Sequence, residues 1–164
     1  MRFRAVLFDL DGTLLDTLED LADAMNEALA QMNLPPHPVA AYRHFVGDGV
    51  VNLARRALGP ERSDSPTVQD CVARMRDAYS RCWDRKTCPY DGVPELLDEL
   101  SRRGLPLAVL SNKPDDFTRL CVERLLPRWR FAAVQGVTDH VPPKPDPAGV
   151  ARVVERLGVP PETF

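Results

Sequence analysis

The chain has 164 residues, a net charge of -3 and an isoelectric point near 5.6. Apolar residues make up 44% and charged residues 27%, which is typical of a globular domain and excludes a disordered or collagen-like chain. The acidic balance argues against a surface that binds nucleic acid, and no apolar run approaches the roughly 20 residues that a membrane span needs. We therefore expect a cytoplasmic protein with neither nucleic-acid nor membrane partners.

The cysteines show no spacing that indicates a special role. They form no CxxC pair, and no cysteine and histidine cluster has the spacing of a zinc site. We expect all four to be buried free thiols: Cys71, Cys82, Cys88 and Cys121.

A short apolar run near the start of the chain, RAVLFDL over residues 4–10, has no helical period. Such a run favours a parallel strand that is covered on both faces. The following residues 16–88 are predicted to be entirely helical, because apolar side chains recur at helical spacing over 18–32, 50–58 and 67–83.

From residue 89 onward the pattern alternates between helix and strand. We predict helices over 93–103, 115–126 and 147–157, and strands over 105–110 and 131–134. In the first of these helices Leu96, Leu97 and Leu100 are expected to face inward. The alternation predicts an α/β fold with a Rossmann-like parallel sheet. Its core, residues 1–15 and 89–164, would be incomplete with about three strands, and an all-helical cap, residues 16–88, would be inserted after the first strand.

Two carboxylates, Asp9 and Asp11, follow the predicted first strand. Alternation along a strand would put them on one side, at the edge where α/β sheets bind ligands, and Gly12 lets the backbone turn there. One carboxylate can attack a phosphoryl group and form an aspartyl-phosphate while the other transfers protons. Both are candidate Mg²⁺ ligands, because this cation prefers oxygen. The alternative is a plain capping turn, which most Asp-Gly pairs form.

The segment FDLDGTL at residues 8–14 resembles the first motif of the haloacid dehalogenase-like hydrolases. SNK at 111–113 and Lys144 within PPKPDP at 142–147 resemble two later motifs of that family, in the right order. The resemblance implies that Asp9 is the nucleophile, that Ser111 and Asn112 bind phosphate, that Lys144 neutralises the transferring group, and that Mg²⁺ is the cofactor. The alternatives are a helix cap for Ser111 and a solvated loop position for Lys144.

The second carboxylate narrows the expected reaction. Family members that dehalogenate carbon or pump ions lack an Asp at the position of Asp11, so the resemblance implies phosphate-ester chemistry. A Ser-His-Asp triad is excluded, since the sequence has no GxSxG segment and His37, His44 and His140 have no evident partners.

The segment FVGDG at residues 45–49 lies between two predicted helices. It resembles the substrate-facing loop of phosphoglycolate phosphatases. In that family a cap closes over the pocket and excludes water. Gly47 and Gly49 would let the backbone approach a small substrate, with Asp48 between them. The alternative is an ordinary interhelical turn.

The fourth motif of the family, an acidic segment that supplies further magnesium ligands, has no counterpart in the sequence. We therefore expect a truncated catalytic domain with low Mg²⁺ affinity and little or no phosphatase activity. The first strand would then be an exposed apolar edge through which the chain self-associates.

These features together imply Mg²⁺-dependent hydrolysis of a small phosphate monoester through an aspartyl-phosphate. The favoured substrate is 2-phosphoglycolate, so the expected partner is a small phosphorylated metabolite. Two alternatives stay open: a phosphosugar mutase or sugar phosphatase of the same family, and a non-catalytic or inactive fragment that acts through protein contacts.

Overall fold

The computed structural model describes residues 3–164 and divides the chain into two compact units. The core unit comprises residues up to Leu15 together with Pro89–Phe164, and the inserted unit is Asp16–Cys88. That the first unit is a phosphatase core and the inserted unit its cap stays a prediction. Met1 and Arg2, which the predicted core includes, lie outside the described residues.

The elements follow one another in the order that the sequence predicts, with additional short segments. The strands are β1 (Val6–Phe8), β2 (Leu15–Asp16), β3 (Cys88–Pro89), β4 (Leu107–Pro114) and β5 (Phe131–Val137). The α-helices are α1 (Leu18–Gln31), α2 (Tyr42–Phe45), α3 (Val50–Leu58), α4 (Ser65–Ser80), α5 (Val93–Arg102), α6 (Asp115–Leu125) and α7 (Ala148–Leu157). Short 3₁₀ segments lie at Val39–Ala41, Pro60–Arg62 and Pro161–Thr163.

The core unit is built on a parallel sheet in the order β1-β4-β5. The register pairs Val6 with Leu107 and Leu107 with Phe131. The central strand β4 is buried from Leu107 to Lys113. Its first four residues, 107–110, are all apolar, as expected for a strand that is covered on both faces, whereas residues 111–113 are polar but buried. The α/β fold class with a three-stranded parallel sheet is confirmed.

Helices pack closely on this sheet. In α7, a Cβ added to Gly149 would lie 2.7 Å from Leu110 Cδ1, so the absence of a side chain lets the helix approach β4. In α5, Leu97 is fully buried, but Leu96 is 44% exposed, so its predicted inward orientation is wrong. The buried face of α5 passes through Val93 and Leu97, four residues apart, and this narrower stripe leaves Leu96 in solvent.

In the inserted unit, α1 and α4 pack through fully buried side chains. Met25 of α1 meets Cys71 of α4, with the two sulfur atoms 3.6 Å apart. The predicted all-helical character of residues 16–88 is wrong at both ends, because Asp16 belongs to β2 and Cys88 to β3, which pair with each other. The chain passes between the two units through these strands.

A buried carboxylate fixes the last turn of the inserted unit. Asp20 of α1 is 1% exposed and accepts hydrogen bonds from the backbone N–H groups of Lys86 and Thr87 and from the Thr87 hydroxyl. A buried charge needs such donors, because desolvation without them is costly. Asp20 therefore joins the start of α1 to the segment that leads into β3.

Two further predictions about single side chains fail in the structure. Cys88 is exposed, whereas Cys71, Cys82 and Cys121 are buried free thiols as expected. His37 has partners: its ring Nε2 lies 2.8 Å from Ala57 O, and its ring packs edge-on against Phe45. These contacts give His37 a structural role in the inserted unit.

None of the helices in residues 3–164 is both long enough and apolar enough to cross a membrane.

Candidate active site

A tight turn carries both aspartates immediately after β1. The turn is anchored by Leu10, which is fully buried and whose carbonyl accepts the N–H groups of Thr13, Leu14 and Leu15. Gly12 has φ of 79°, a left-handed conformation that suits glycine. β1 ends at Phe8, so Asp9 and Asp11 lie in this turn and not on the strand. The predicted placement of the two carboxylates on one side of a strand is therefore wrong, although the turn does lie at the carboxyl end of β1.

Asp9 forms an ion pair with Lys144. Asp9 Oδ1 lies 2.9 Å from Lys144 Nζ and also accepts the Leu10 N–H at 2.7 Å. The ammonium of Lys144 also donates a hydrogen bond, of 3.0 Å, to Leu110 O, at the end of the apolar part of β4. The side chains are 43% exposed for Asp9 and 30% for Lys144, so this pair is accessible to a ligand.

Asp11 forms a second ion pair, with Lys113. Asp11 Oδ1 lies 3.0 Å from Lys113 Nζ, and the side chains are only 14% and 4% exposed. Oδ1 is itself buried and accepts no hydrogen bond within residues 3–164, so the contact is a close ion pair without hydrogen-bond alignment. The two carboxylates thus have separate lysine partners, one accessible and one buried.

The SNK segment, residues 111–113, forms an irregularity in the pairing of β4 with β5. Leu110 pairs with Gln135 and Pro114 with Val137, so residues 111–113 stand opposite the single residue Gly136. Extra residues in a strand bend it and re-aim its side chains, a common arrangement beside active sites. A Cβ on Gly136 would lie 2.7 Å from Lys113 O and 2.5 Å from Thr118 Oγ1, so only glycine fits opposite this bulge.

Ser111 and Asn112 differ in the hydrogen bonds that their side chains make. Ser111 is 3% exposed. Its Oγ accepts a hydrogen bond of 3.2 Å from the Lys113 N–H, so its hydroxyl proton can be donated to another acceptor. Asn112 Oδ1 accepts the Lys144 N–H at 2.6 Å, and Asn112 Nδ2 donates to Lys144 O at 3.3 Å. These two bonds attach Asn112 to the Lys144 backbone, while its predicted phosphate contact stays a prediction.

Lys113 lies beside the two aspartates but is not among the site residues predicted from the sequence. Lys113 lies in the SNK segment, and two of the three lysines of an arginine-rich chain, Lys113 and Lys144, occur within the recognised segments. This uneven distribution of lysines could have indicated that Lys113 has a role in the site. The partner of Lys113 was not predictable, because it depends on the bulge in β4.

The two aspartates fit a hard divalent cation. Within the described part of the chain, residues 3–164, no group of three or more His, Cys, Asp or Glu side chains is placed to hold a metal. Magnesium does not require such a group, since it commonly binds one or two carboxylates, several waters and substrate phosphate oxygens. Asp9 is partly exposed and lies two residues before Asp11, so carboxylate oxygens are present at this turn.

The predicted substrate loop lies in the inserted unit. Gly47 and Gly49 have φ of 121° and 84°, so glycine suits both positions. Asp48 is engaged by two residues of α3: its carboxylate pairs with Arg56, and its carbonyl accepts a hydrogen bond from Asn52 at 3.0 Å. These contacts hold the loop, and a substrate contact stays a prediction.

Known proteins resemble the chain over nearly its whole length. The model of a hydrolase family described as haloacid dehalogenase-like hydrolase matches residues 3–164. The phosphoglycolate phosphatase of Pseudomonas putida is 35% identical over 163 residues, which cover 97% of this chain and 60% of that protein. The N-acetylmuramic acid 6-phosphate phosphatase of Pseudomonas aeruginosa is 36% identical over 162 residues, which cover 98% of this chain and 71% of that protein.

A solved structure agrees with these relatives. The crystal structure of a candidate phosphoglycolate phosphatase from Lactobacillus delbrueckii subsp. bulgaricus matches with a TM-score of 0.92 at 31% sequence identity, over 98% of this chain and 75% of that one. The chain spans 60% of the length of the curated P. putida relative. Family model, sequence relatives and fold agree, and the chain belongs to the haloacid dehalogenase-like hydrolases.

Proposed function

We propose that the protein hydrolyses a small phosphate monoester through an aspartyl-phosphate on Asp9, with 2-phosphoglycolate as the favoured substrate. The observation that best supports this proposal is the set of contacts that the Asp9 carboxylate makes. Lys144 Nζ and the Leu10 N–H both contact Oδ1, so Oδ2 is the oxygen left for attack. The side chain is 43% exposed, which a nucleophile needs in order to reach a substrate.

Hydrolysis takes two steps at these residues. In the first, Asp9 Oδ2 attacks phosphorus, the bond to the alcohol oxygen breaks, and the acid form of Asp11 gives its proton to that oxygen. In the second, the Asp11 carboxylate takes a proton from a water molecule, the water oxygen attacks phosphorus, and the bond to Asp9 breaks. One water is consumed, and alcohol and phosphate are released.

Lys144 and Ser111 would stabilise the charge of the phosphoryl group. Its transition state spreads negative charge over the equatorial oxygens, so positioned cations and donors accelerate the reaction. Lys144 is held between Asp9 and the β4 carbonyl of Leu110, which fixes its ammonium at the nucleophile. The Ser111 hydroxyl has a proton to donate.

Magnesium is the cofactor that we propose. Asp9 and Asp11 would hold it, and when bound it would neutralise charge on the phosphate oxygens. All steps of proton and phosphoryl transfer remain with the protein side chains described above.

The choice of 2-phosphoglycolate rests on the name of the P. putida relative, at 35% identity, and on the glycine-flanked loop around Asp48. A second candidate is a sugar phosphate. It is supported by the P. aeruginosa relative, at 36% identity, which is named for N-acetylmuramic acid 6-phosphate.

A substrate panel tests the proposal. The full-length protein is assayed with Mg²⁺ for phosphate release from 2-phosphoglycolate, N-acetylmuramic acid 6-phosphate and glucose 6-phosphate. We expect kcat/KM for 2-phosphoglycolate to exceed the others by at least about tenfold, the scale on which modest pocket differences discriminate. A preference for either sugar phosphate would favour the second candidate. No release from any substrate by the folded protein would contradict phosphatase activity.

A further inference from the structure

We infer that Lys113 is a positioning residue that holds the Asp11 carboxylate in place for proton transfer to and from the reacting oxygens. The inference rests on the proposed phosphatase function. It assigns a role to Lys113, which the proposed mechanism does not include. Its basis is the buried Lys113–Asp11 ion pair at 3.0 Å.

Burial separates the role of Lys113 from that of Lys144. The side chain of Lys113 is 4% exposed and that of Lys144 is 30% exposed. The Lys113 ammonium lies against the Asp11 carboxylate, whereas the more exposed Lys144 ammonium lies against the accessible Asp9. Lys113 therefore acts through the carboxylate that it touches, and Asp11 is the member of that pair with some exposure, at 14%.

The backbone of Lys113 is fixed on both sides. Its N–H donates to Ser111 Oγ at 3.2 Å, and its carbonyl accepts the Thr118 hydroxyl of α6, also at 3.2 Å. Gly136 allows β5 to approach the same carbonyl closely. A long and flexible side chain gains a defined position when its backbone is anchored and its atoms are buried, so the ammonium is a fixed point.

The ion pair also selects one oxygen of Asp11. Lys113 Nζ lies against Oδ1, which leaves Oδ2 for the proton. Proton transfer requires a donor and an acceptor within hydrogen-bond distance and correctly aligned, and a misplacement of about 1 Å can cost a factor of about 10² in rate. Without the lysine, the carboxylate would rotate and leave its productive orientation for part of the time.

The test compares two substrates whose leaving groups differ in their need for a proton. The alkoxide of 2-phosphoglycolate must be protonated as it leaves, whereas 4-nitrophenolate leaves 4-nitrophenyl phosphate without protonation. The measured quantity is the ratio of kcat for 2-phosphoglycolate to kcat for 4-nitrophenyl phosphate in the full-length protein with Mg²⁺. For Lys113→Met we expect this ratio to fall about tenfold or more, because general acid catalysis contributes about 10² to 10⁴.

Two further variants complete the design. Lys86→Met is the matched control, because Lys86 is the remaining lysine, is exposed and pairs with Glu19 and Asp23 in the inserted unit; its ratio should equal that of the wild type. Lys113→Arg keeps the cation but displaces it, so its ratio should fall by a smaller factor of at least about two. If Lys113→Met does not fold, Lys113→Arg provides the same comparison.

The outcomes separate this inference from the proposed function. A wild-type protein that hydrolyses neither substrate overturns both. A wild-type protein that hydrolyses both substrates, together with Lys113 variants that lose the same factor on each, overturns the positioning role alone. Equal loss would mean that Lys113 only supports the fold.

Discussion

The side chain of Asn112 and the backbone of Lys144 are joined by two hydrogen bonds, with Asn112 Oδ1 2.6 Å from Lys144 N and Asn112 Nδ2 3.3 Å from Lys144 O. The two residues are 32 positions apart in the sequence. An amide that bonds both polar groups of one residue fixes that residue in translation and rotation. This pair therefore connects the end of β4 to the loop that presents a cation to Asp9.

Asn112→Ala should reduce phosphatase activity with little effect on folding. Both hydrogen bonds to Lys144 are lost, so the ammonium should become less well positioned against Asp9. We expect kcat to fall roughly 10-fold to 100-fold, the scale of a displaced catalytic group. Steady-state kinetics of the full-length protein provide the measurement, with Gln69→Ala, an exposed amide on α4, as the control. Unchanged kcat in Asn112→Ala would show that Lys144 keeps its place without this amide.

Gly136→Ala should destabilise the core unit. The added Cβ would lie 2.5 Å from both Asp115 Cα and Thr118 Oγ1, and backbone atoms cannot move aside as a flexible side chain can. We expect a loss of about 1–3 kcal/mol in the free energy of unfolding, the range found for overpacked sites.

Denaturant unfolding measures this loss. Ala132→Ser is a control in the same strand, since Ala132 is exposed and tolerates one additional atom. If Gly136→Ala is as stable as Ala132→Ser, then β5 and the start of α6 do not approach as closely as described.

Asp20→Asn should destabilise the inserted unit. The carboxylate accepts hydrogen bonds from Lys86 N, Thr87 N and the Thr87 hydroxyl, and an amide would present N–H groups to some of these donors. We expect a loss of roughly 1–3 kcal/mol, the cost of leaving buried polar groups unpaired. Asp23→Asn is the control, because Asp23 is exposed and pairs with Lys86 at the surface, where ion pairs contribute little. Equal stabilities by thermal unfolding would contradict the role of Asp20.

Stability should fall at alkaline pH, in part because of Tyr42. Burial, and to a smaller extent the nearby Cys71, raises the pKa of Tyr42 well above its ordinary value of 10.0. The folded state therefore favours the neutral phenol, which donates to Asn26 Oδ1 at 2.7 Å. Its contribution is complete below about pH 10 and is lost as the pH rises from there through the raised pKa.

The comparison is between unfolding free energies at neutral pH and above pH 10.0, the ordinary pKa of the phenol. Tyr42→Phe should lose less stability on this change than the wild type, and Tyr90→Phe, at an exposed tyrosine, should behave as the wild type does. Burial also raises the pKa of the Cys71 thiol, so some alkaline loss should remain in every variant. An identical alkaline loss in Tyr42→Phe and the wild type would contradict the prediction.

The sequence was sufficient to predict the three-stranded sheet and a turn with two aspartates after its first strand, while the catalytic role of these aspartates stays a prediction. Buried parallel strands have continuous apolar runs, and this composition made β4 and β5 recognisable from their residues. The turn after β1 was recognisable because Gly12 and two carboxylates follow an apolar run directly. Motif order then indicated that Lys144 belongs with Asp9, which the distance of 2.9 Å between their side-chain atoms agrees with.

What could not be predicted depends on contacts between distant segments. The bulge that places Lys113 beside Asp11 arises from the pairing of β4 with β5. The register of that pairing cannot be predicted from the local sequence. The two-residue strand that contains Cys88 is too short to have a periodicity, so its exposure was not foreseen. The burial of Asp20 requires the return of the chain at Thr87, far along the sequence.

The central claim is that Asp9 carries the phosphoryl group, and the most direct measurement is the detection of that group by mass spectrometry. The full-length protein is mixed with 2-phosphoglycolate and Mg²⁺, quenched in acid and digested, and the peptide that contains Asp9 is analysed. Asp9→Asn and Asp139→Asn, at an exposed aspartate, are treated in parallel.

We predict phosphate on the Asp9 peptide in the wild type and in Asp139→Asn. In Asp9→Asn we predict none, together with a loss of hydrolysis of roughly 10³-fold or more, since a nucleophile cannot be replaced by a neutral amide. Hydrolysis by Asp9→Asn at the wild-type rate, without phosphate on residue 9, would contradict the account.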